Sequence, residues 1–353
     1  MSTDATAREA TPLDVTALDE TALARWLEAH LPGFRGPLKS KKFGDGQSNP
    51  TFLIEAASGA YVLRRKPPGL LLKSAHAVDR EFRVQKALAG SGVPVARMDI
   101  LCEDDSVVGS AFYVMERVPG RIFWDPALPE LSNADRTAIY DEMNKALASL
   151  HRIDPAAVGL SDFGRPGSYF ARQFKRWTDQ YRASETGTVA DMDALIDWLS
   201  RNTPPDDGRV AIVHGDYRLD NMIFHAREPK LLAVLDWELS TLGHPYADIS
   251  YQCMQWRLSN ESIFKGLGGF DRPALGIPSE EAYVAAYCKR MGFSEIPHWD
   301  FYLAFNFFRL AAIIQGVMKR AMDGNGSNPQ RGLEMGKMVP VLARMGLDLA
   351  RGA

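Results

Sequence analysis

A short segment of the sequence carries the residue types best suited to catalysis. Asp216 is followed five positions later by Asn221, and Asp236 comes after a further apolar run. The runs Met222 to Phe224 and Leu231 to Leu235 flank a polar turn and predict a β-hairpin. A hairpin brings its entrance and exit together, so these three side chains are expected to converge. Phosphoryl transfer from ATP needs such a set. One carboxylate accepts a hydrogen bond from the attacking hydroxyl, while a second carboxylate and an amide oxygen hold Mg²⁺ against the phosphates.

The spacing within this segment matches a protein-kinase motif, although each carboxylate can also be interpreted as a turn residue. The offset from Asp216 to Asn221 equals that of the protein-kinase pattern H-R-D-x-x-x-x-N. Any one of the carboxylates could instead be a turn or cap residue, because Asp is common in turns. Asp236 fits that alternative poorly, since it follows five apolar residues, where an ionised carboxylate is costly unless it binds a cation.

The patterns on either side of this segment predict an α+β, bilobal protein-kinase-like fold. A small antiparallel sheet is predicted first, from Leu38–Phe43, Thr51–Glu55, Ala60–Arg65 and two strands within Val107–Arg117, with a helix at Ala75–Ala89. Helical periodicity dominates after Pro119-Gly120, at Asn133–Arg152, Gly167–Arg182 and Val189–Arg201. The expected domains are a tail and helix (1–34), a nucleotide-binding N-lobe (35–118), and a catalytic and substrate-binding C-lobe (119–353).

Composition excludes several classes of function. The net charge of -3, with 46% hydrophobic and 24% charged residues, is typical of a soluble globular protein and gives no reason to expect nucleic-acid binding. Cys102, Cys253 and Cys288 are too few and too scattered for a disulfide framework. Charged and amide residues interrupt the apolar stretch Trp299 to Met318, which predicts a buried helix rather than a membrane span. We expect a cytoplasmic enzyme, whose oligomeric state the sequence leaves open.

A cation and an acid in the N-lobe are suited to nucleotide binding. Tyr61-Val-Leu-Arg64 occupies the place of the kinase sequence V-A-I-K, with Arg64 where lysine is usual. Glu81 lies in the apolar stripe of the following helix, where an unpaired carboxylate would be costly. We therefore predict an ion pair between Arg64 and Glu81. An exposed helix edge with an i,i+4 partner for Glu81 is the alternative.

Two other segments of the N-lobe are candidates for nucleotide contacts. Gly46, Ser48 and Asn49 lie between two strands and could donate hydrogen bonds to phosphate, although such a segment can also be a simple hairpin turn. The connector at the end of this lobe is expected to contact the base through backbone groups near Glu116 and Val118. Such contacts do not distinguish ATP from GTP. No G-x-x-x-x-G-K-[ST] motif occurs, so a P-loop enzyme is not supported.

The motifs taken together resemble those of the aminoglycoside phosphotransferase and choline kinase family. They are His214-Gly-Asp216 with Asn221, Leu235-Asp236-Trp-Glu238, and Gly243-His-Pro-Tyr-Ala-Asp248. The resemblance implies that Asp216 is the catalytic base and that Asn221 and Asp236 are metal ligands. Asp248 and His214 are then scaffold residues, with Asp248 accepting hydrogen bonds from the backbone of the catalytic loop.

A closer resemblance is to the kinase-like domain that is fused to, or encoded with, acyl-CoA dehydrogenases. It depends on Arg64-Arg-Lys-Pro-Pro-Gly69, Ser74-Ala-His-Ala-Val-Asp-Arg-Glu81 and the aromatic helix near Phe170. It implies a hydroxylated acyl-CoA or similar anionic acceptor and a functional link to such a dehydrogenase. Arg309, in an apolar helix, needs an anionic partner, either a fixed carboxylate or a ligand. An aminoglycoside kinase and a pseudokinase that regulates a partner are the alternatives.

Overall fold

The computed structural model describes residues 18–44, 49–67, 77–324 and 328–352. The chain divides into two compact units. The first comprises the described residues up to Phe82 together with Arg97–Arg117, and the second comprises Arg83–Ala96 together with the chain from Val118 onward. The boundaries predicted from the sequence, at 34/35 and 118/119, stay a prediction.

The first unit is built on an antiparallel sheet whose strands lie in the order β1-β2-β3-β5-β4. The strands and the flanking helices are α1 (Glu20–His30), β1 (Leu38–Lys42), β2 (Thr51–Ala56), β3 (Gly59–Arg65), α2 (Val78–Leu88), β4 (Met98–Cys102) and β5 (Phe112–Glu116). Helix α2 belongs to this unit as far as Phe82 and to the second unit from Arg83 onward. Helix α1 begins at a cap in which Asp19 accepts a hydrogen bond from the Ala22 backbone N–H at 2.9 Å. Its buried residues Leu23 and Leu27 belong to the same apolar core as Phe52 of β2.

One strand was predicted in the wrong place. The sequence pattern put two strands around a turn at Gly109-Ser110, but β4 lies earlier, at Met98–Cys102. The segment that contains Val107 is a turn, because the Asp104 side chain accepts from Ser106 and the Val107 backbone N–H donates to the Asp104 carbonyl. Local hydrogen bonds of this kind compete with strand pairing.

The second unit is mainly helical and contains two short two-stranded sheets, β6 with β9 and β7 with β8. Its elements are α3 (Asn133–His151), α4 (Tyr169–Ser184), α5 (Ala190–Asn202), β6 (Ala211–Val213), β7 (Met222–Phe224), β8 (Leu231–Val234), β9 (Thr241–Gly243), α6 (Tyr246–Cys253), α7 (Glu280–Met291), α8 (Trp299–Met322), α9 (Pro329–Gly336) and α10 (Val339–Gly352). The predicted hairpin is thus β7–β8.

Helix α8 runs through the apolar core of this unit. It has the length and composition of a membrane span, but 83% of its most apolar window is buried inside the protein. Most of its residues are buried, including Asn306 and Arg309. A polar side chain in such a position needs a partner within the fold.

Candidate active site

The loop between β6 and β7 carries Asp216 and Asn221, and the hairpin places the backbone that leads to Asp236 beside them. The Asn221 side-chain Nδ2 donates to the Asp216 carbonyl oxygen at 2.9 Å and to its Oδ2 at 3.0 Å. The Leu235 backbone N–H donates to the Asn221 carbonyl oxygen at 2.8 Å, which fixes the residue before Asp236. Because the amide nitrogen of Asn221 is directed at Asp216, its amide oxygen points away from that carboxylate. The structure therefore brings the predicted residues to one end of the hairpin.

Asp236 has an unusual backbone conformation. Its φ of 64° and ψ of 61° lie in the left-handed region, which few residues other than glycine adopt. Asp is among the exceptions because its short side chain can hydrogen-bond locally. Backbone strain of this kind persists where the surrounding structure imposes it, and it is concentrated at functional sites.

The carboxylate of Asp216 is half-buried among hydrogen-bond donors and cations. Burial alone raises its pKa, but the charge of Arg218, a hydrogen bond from Tyr251 and the charge of Arg309 outweigh burial and hold the pKa below its ordinary value. The Arg218 Nε lies 3.5 Å from Asp216 Oδ1. Asp216 is thus an ionised hydrogen-bond acceptor at neutral pH.

Sequence reasoning missed both Arg218 and Tyr251. Arg218 could have been noticed as the cation inside the catalytic-loop motif, two positions after Asp216. Tyr251 lies about one helical turn after Asp248 on α6, but nothing in the local pattern pairs it with Asp216.

Asp248 holds the start of the catalytic loop. Its carboxylate is 1% exposed and accepts hydrogen bonds from the backbone N–H groups of His214, at 2.6 Å, and of Gly215, at 2.8 Å. His151 Nε2 lies 3.1 Å from Asp248 Oδ2 and donates to it, and the Tyr287 hydroxyl lies 2.7 Å from His151 Nδ1. Although burial raises the pKa of Asp248, the hydrogen bond and charge of His151 lead the opposing effects, and the pKa lies below its ordinary value.

His214 connects the catalytic loop to the segment that carries Asp236. Its ring is fully buried, with Nε2 2.8 Å from the Leu235 carbonyl oxygen, while Nδ1 accepts from the Asp216 backbone N–H at 3.2 Å. These partners require the hydrogen on Nε2, so both ring nitrogens are engaged within the loop. Such an arrangement suits a scaffold rather than a proton carrier.

Arg309 reaches the same loop from helix α8. Its guanidinium donates to the Gly215 carbonyl oxygen at 2.6 Å and lies over the rings of Trp177 and Tyr251, 5.7 and 5.2 Å from their centroids. The sequence suggested a fixed carboxylate or a ligand as its partner. The hydrogen bond that the structure shows is instead to a backbone carbonyl next to Asp216, with two aromatic faces beside the cation.

In the first unit, Glu81 is surrounded by donors. The Arg64 Nε lies 3.0 Å from Glu81 Oε2, and the carboxylate is 1% exposed. The Tyr113 hydroxyl donates to Oε2 at 3.0 Å, and Asn49 Nδ2 donates to Oε1 at 2.6 Å. Arg64 pairs with Tyr113 in the β3–β5 register, which explains why both side chains reach Glu81. The Asn49 amide, proposed from the sequence as a phosphate donor, is thus engaged with Glu81.

The other residues predicted to bind the nucleotide are Gly46, Ser48, Glu116 and Val118. Gly46 and Ser48 lie outside the described residues. The Glu116 backbone N–H donates to the Arg97 carbonyl oxygen at 3.0 Å, and its carboxylate accepts from the Arg97 N–H at 2.8 Å. Val118 is half-buried at the start of the second unit's main segment. The base contacts proposed for Glu116 and Val118 stay a prediction.

The oxygen donors of the second unit suit Mg²⁺ bound together with phosphates. Within the described ranges, no group of three or more His, Cys, Asp or Glu side chains could hold a metal ion on its own. Mg²⁺ does not require such a group, because it usually takes one or two protein carboxylates and completes its shell with water and substrate phosphates. The Asn221 amide oxygen and the Asp236 carboxylate fit that pattern.

Comparison with known proteins identifies the family. Residues 39–289 match the model of the phosphotransferase enzyme family, also called APH. The chain belongs to this family. The predicted resemblance is therefore confirmed.

Proteins similar to this chain include longer ones that are named after acyl-CoA dehydrogenases. The chain is 47% identical over 330 residues to mouse (Mus musculus) acyl-CoA dehydrogenase family member 10, a match that covers 92% of this chain and 31% of that protein. The chain spans less than half the length of the mouse acyl-CoA dehydrogenase family members 10 and 11. The predicted closeness to a kinase-like domain associated with acyl-CoA dehydrogenases is confirmed by these names.

Solved structures of family members share the fold. A crystal structure from Ralstonia eutropha jmp134, provisionally named an aminoglycoside phosphotransferase, matches with a TM-score of 0.87 and 50% identity, over 96% of this chain and 99% of that one. A thermostable mutant of aminoglycoside phosphotransferase APH(4)-Ia, in ternary complex with AMP-PNP and hygromycin B, matches with a TM-score of 0.61 and 15% identity, over 94% and 100%. The predicted α+β kinase-like fold is confirmed.

Proposed function

We propose that this protein transfers the γ-phosphoryl group of ATP to a hydroxyl of a small molecule. The observation that carries the proposal is the contact of Asn221 with Asp216, at 3.0 Å between Nδ2 and Oδ2, at the end of the hairpin that leads to Asp236. Family membership supports phosphotransfer in general. The AMP-PNP bound by the distant relative supports an adenine nucleotide as donor.

In the proposed reaction, Asp216 orients the acceptor and receives its proton. The acceptor hydroxyl donates a hydrogen bond to the ionised carboxylate, and its oxygen forms a bond to the γ-phosphorus. The bond from that phosphorus to the bridging oxygen breaks, and its electron pair leaves with ADP. The hydroxyl proton passes to the Asp216 carboxylate. Little covalent chemistry is asked of the protein, so positioning and charge stabilisation dominate.

Asn221 and Asp236 would hold Mg²⁺ through one amide oxygen and one carboxylate. When bound, that ion neutralises charge on the phosphates of the nucleotide. The contact from Asn221 Nδ2 to Asp216 gives the amide a fixed orientation, so its oxygen is presented as a ligand without rotamer rearrangement. Asp248 and His214 keep this loop in shape through their backbone contacts.

Arg64 would bind the nucleotide phosphates from the first unit. Its pairing with Glu81 fixes the guanidinium through Nε, and Glu81 is held in turn by Tyr113 and Asn49. Arginine remains charged at all relevant pH values and matches phosphate oxygens with its planar fork. The ion pair therefore orients a cation of the required kind.

For the acceptor, we propose an anionic hydroxylated molecule of the hydroxyacyl-CoA type. The support is the name of the long relatives, acyl-CoA dehydrogenase family members, which share at least 42% identity with this chain in the mouse proteins. Fold neighbours in this family share the phosphate chemistry and differ in the acceptor, so the distant aminoglycoside-binding structures do not decide the substrate. A functional link to an acyl-CoA dehydrogenase is part of the same proposal.

The test is an ATP-consumption screen with hydroxy acids, their CoA esters, amino alcohols and aminoglycosides as acceptors. We expect turnover with one or more hydroxyacyl-CoA esters and none with aminoglycosides. Asp216→Asn should lower kcat by about 10²–10⁴-fold, the usual contribution of a positioned acid–base group, while ATP affinity stays near that of the wild type. Wild-type turnover in this variant would show that the assigned base is wrong. Turnover with aminoglycosides alone would refute the proposed acceptor class.

A further inference from the structure

Arg218 lies inside the catalytic loop, and the scaffold contacts described above do not include it. Its Nε is 3.5 Å from Asp216 Oδ1, and its terminal nitrogen NH2 forms a short ion pair with Asp220 Oδ2. The side chain is 27% exposed, so it is partly open to solvent while its inner edge is covered. Nε is buried and makes no hydrogen bond to any group among the described residues. One nitrogen of the guanidinium is thus anchored, while Nε still has a hydrogen-bonding capacity to fill.

The charges around Arg218 are mostly negative. Burial lowers the pKa of this guanidinium, but the carboxylates of Asp216, Asp220 and Asp236 more than offset burial and raise it. Burial, together with the charge of Asp216, raises the pKa of Asp220 above its ordinary value despite its contact with Arg218. Arg218 is therefore a cation that lies among three carboxylates, and their charges favour its charged form.

We propose that Arg218 is a catalytic residue that contacts oxygens of the phosphoryl group during its transfer. This inference rests on the proposed function, since it places Arg218 beside the same reacting atoms as Asp216. In the proposed reaction the acceptor hydroxyl lies between Asp216 and the γ-phosphorus, and the Arg218 Nε is 3.5 Å from an Asp216 oxygen. Arg218 would therefore lie close to the phosphoryl group that is transferred. An arginine supplied by the same chain can stabilise the negative charge of that transition state.

The anchoring by Asp220 gives this role a physical basis. A planar guanidinium held at one terminal nitrogen keeps a fixed plane, and its other N–H groups are pre-oriented for phosphate oxygens. Pre-oriented donors stabilise developing charge without reorganisation during the reaction. A lysine at this position would keep the charge and lose the fixed fork.

The test compares Arg218→Met and Arg218→Lys with the wild type and with Arg201→Met as a matched control. Arg201 is an arginine of α5 whose side chain is 73% exposed and pairs with Asp197, away from the catalytic loop. Two quantities are measured: kcat and KM with ATP and the best acceptor, and the affinity for ADP with Mg²⁺, with and without aluminium fluoride. Aluminium fluoride bound beside ADP mimics the phosphoryl group during its transfer, and transition-state analogues bind more tightly than ground-state ligands.

We expect Arg218→Met to lower kcat by about 10²–10³-fold, as the loss of one pre-oriented donor does elsewhere. ADP affinity should stay close to wild type, and the gain in affinity from aluminium fluoride should disappear. Arg218→Lys should show an intermediate loss, and Arg201→Met should behave as wild type. The fluoride gain is a ratio of two affinities in one protein sample, so partial unfolding of a variant does not imitate its loss.

Three results would overturn the inference. Arg218→Met could keep the full fluoride gain, it could keep wild-type kcat, or it could raise the KM for the acceptor at unchanged kcat, which would make Arg218 an acceptor-binding residue. If the wild type turns over no acceptor of the screen but shows a fluoride gain that Arg218→Met loses, the proposed acceptor class fails and the contact of Arg218 with the phosphoryl group stands. If the wild type turns over and Arg218→Met does so equally well, the function stands and the role of Arg218 falls.

Discussion

The carboxylate of Asp248 is the partner of three donors, and its replacement by asparagine has a calculable effect. Oδ1 accepts from the Gly215 N–H, and Oδ2 accepts from the His214 N–H and from His151 Nε2. Asparagine has one side-chain oxygen, so its NH₂ group must face at least one buried N–H donor. An unsatisfied buried donor costs about 1–3 kcal/mol, and hydrogen bonds to a charged group are worth about 1.5–3 kcal/mol each.

We therefore expect Asp248→Asn to lower the free energy of unfolding of the second unit by about 3–5 kcal/mol, the combined cost of one unsatisfied buried donor and of weaker hydrogen bonds from the other donors. For a unit of this size, each kcal/mol corresponds to about 2–4 °C, so the midpoint should fall by about 10 °C. Urea unfolding followed by tryptophan fluorescence measures the first quantity, and calorimetry measures the second. Asp197→Asn, on an exposed side chain that pairs with Arg201, is the control and should change stability by less than about 0.5 kcal/mol.

The effect should also depend on pH in one direction. The folded-state pKa of Asp248 is below its ordinary value, so its ionised form stabilises the fold above the unfolded pKa of about 3.9. That contribution is lost as the pH falls through the folded pKa. The stability difference between wild type and Asp248→Asn should be constant from about pH 7 to pH 5 and shrink below about pH 4. A difference of under about 1 kcal/mol at neutral pH, or one that grows on acidification, would refute this account of the carboxylate.

Two further substitutions test the contacts of two arginines, the ion pair of Arg64 with Glu81 and the hydrogen bond of Arg309 to Gly215. Glu81→Gln removes the charge opposite Arg64, and it should raise the Kd for ATP roughly tenfold, the equivalent of one charge-assisted hydrogen bond; isothermal titration calorimetry that gave an unchanged Kd would show that Arg64 needs no such orientation. Arg309→Met removes the hydrogen bond to the Gly215 carbonyl next to Asp216 and should lower kcat about tenfold with a smaller change in KM, whereas Arg320→Met, at an exposed position of the same helix α8, should leave steady-state kinetics unchanged. Equal effects of the two α8 variants would assign the loss to the helix rather than to the contact.

The parts of the site that the sequence predicted are those held together by local chain geometry. Asp216 and Asn221 lie in one loop, and the strands on either side of the turn return the chain to that loop at Leu235. Apolar alternation and turn residues are sufficient to predict a hairpin. Arg64 and Glu81 could also be paired, because each is a charge placed on an apolar element and needs a partner.

The position of β4 and the contact of Asn49 with Glu81 did not follow from the local sequence. The sequence around Val107 has strand-forming residues, but backbone and side-chain hydrogen bonds at Asp104 close a turn there. Asn49 was interpreted as a phosphate donor from its place in a polar loop, whereas the fold places its amide 2.6 Å from Glu81, on a helix that follows much later in the chain. At Val107 local hydrogen bonds outweigh strand propensity, and at Asn49 a tertiary contact decides the partner.

By itself, the sequence determined the family and the fold class and predicted that Asp216 and Asn221 lie in one loop, because these depend on residue type and on spacing over short distances. Only the tertiary structure placed Arg309 against Gly215, Tyr251 against Asp216, and His151 against Asp248. The first and last of these pairs are separated by 94 and 97 residues. Contacts over such separations depend on how helices pack around a common core. The local periodicity of the sequence does not predict which partner a buried polar side chain will contact.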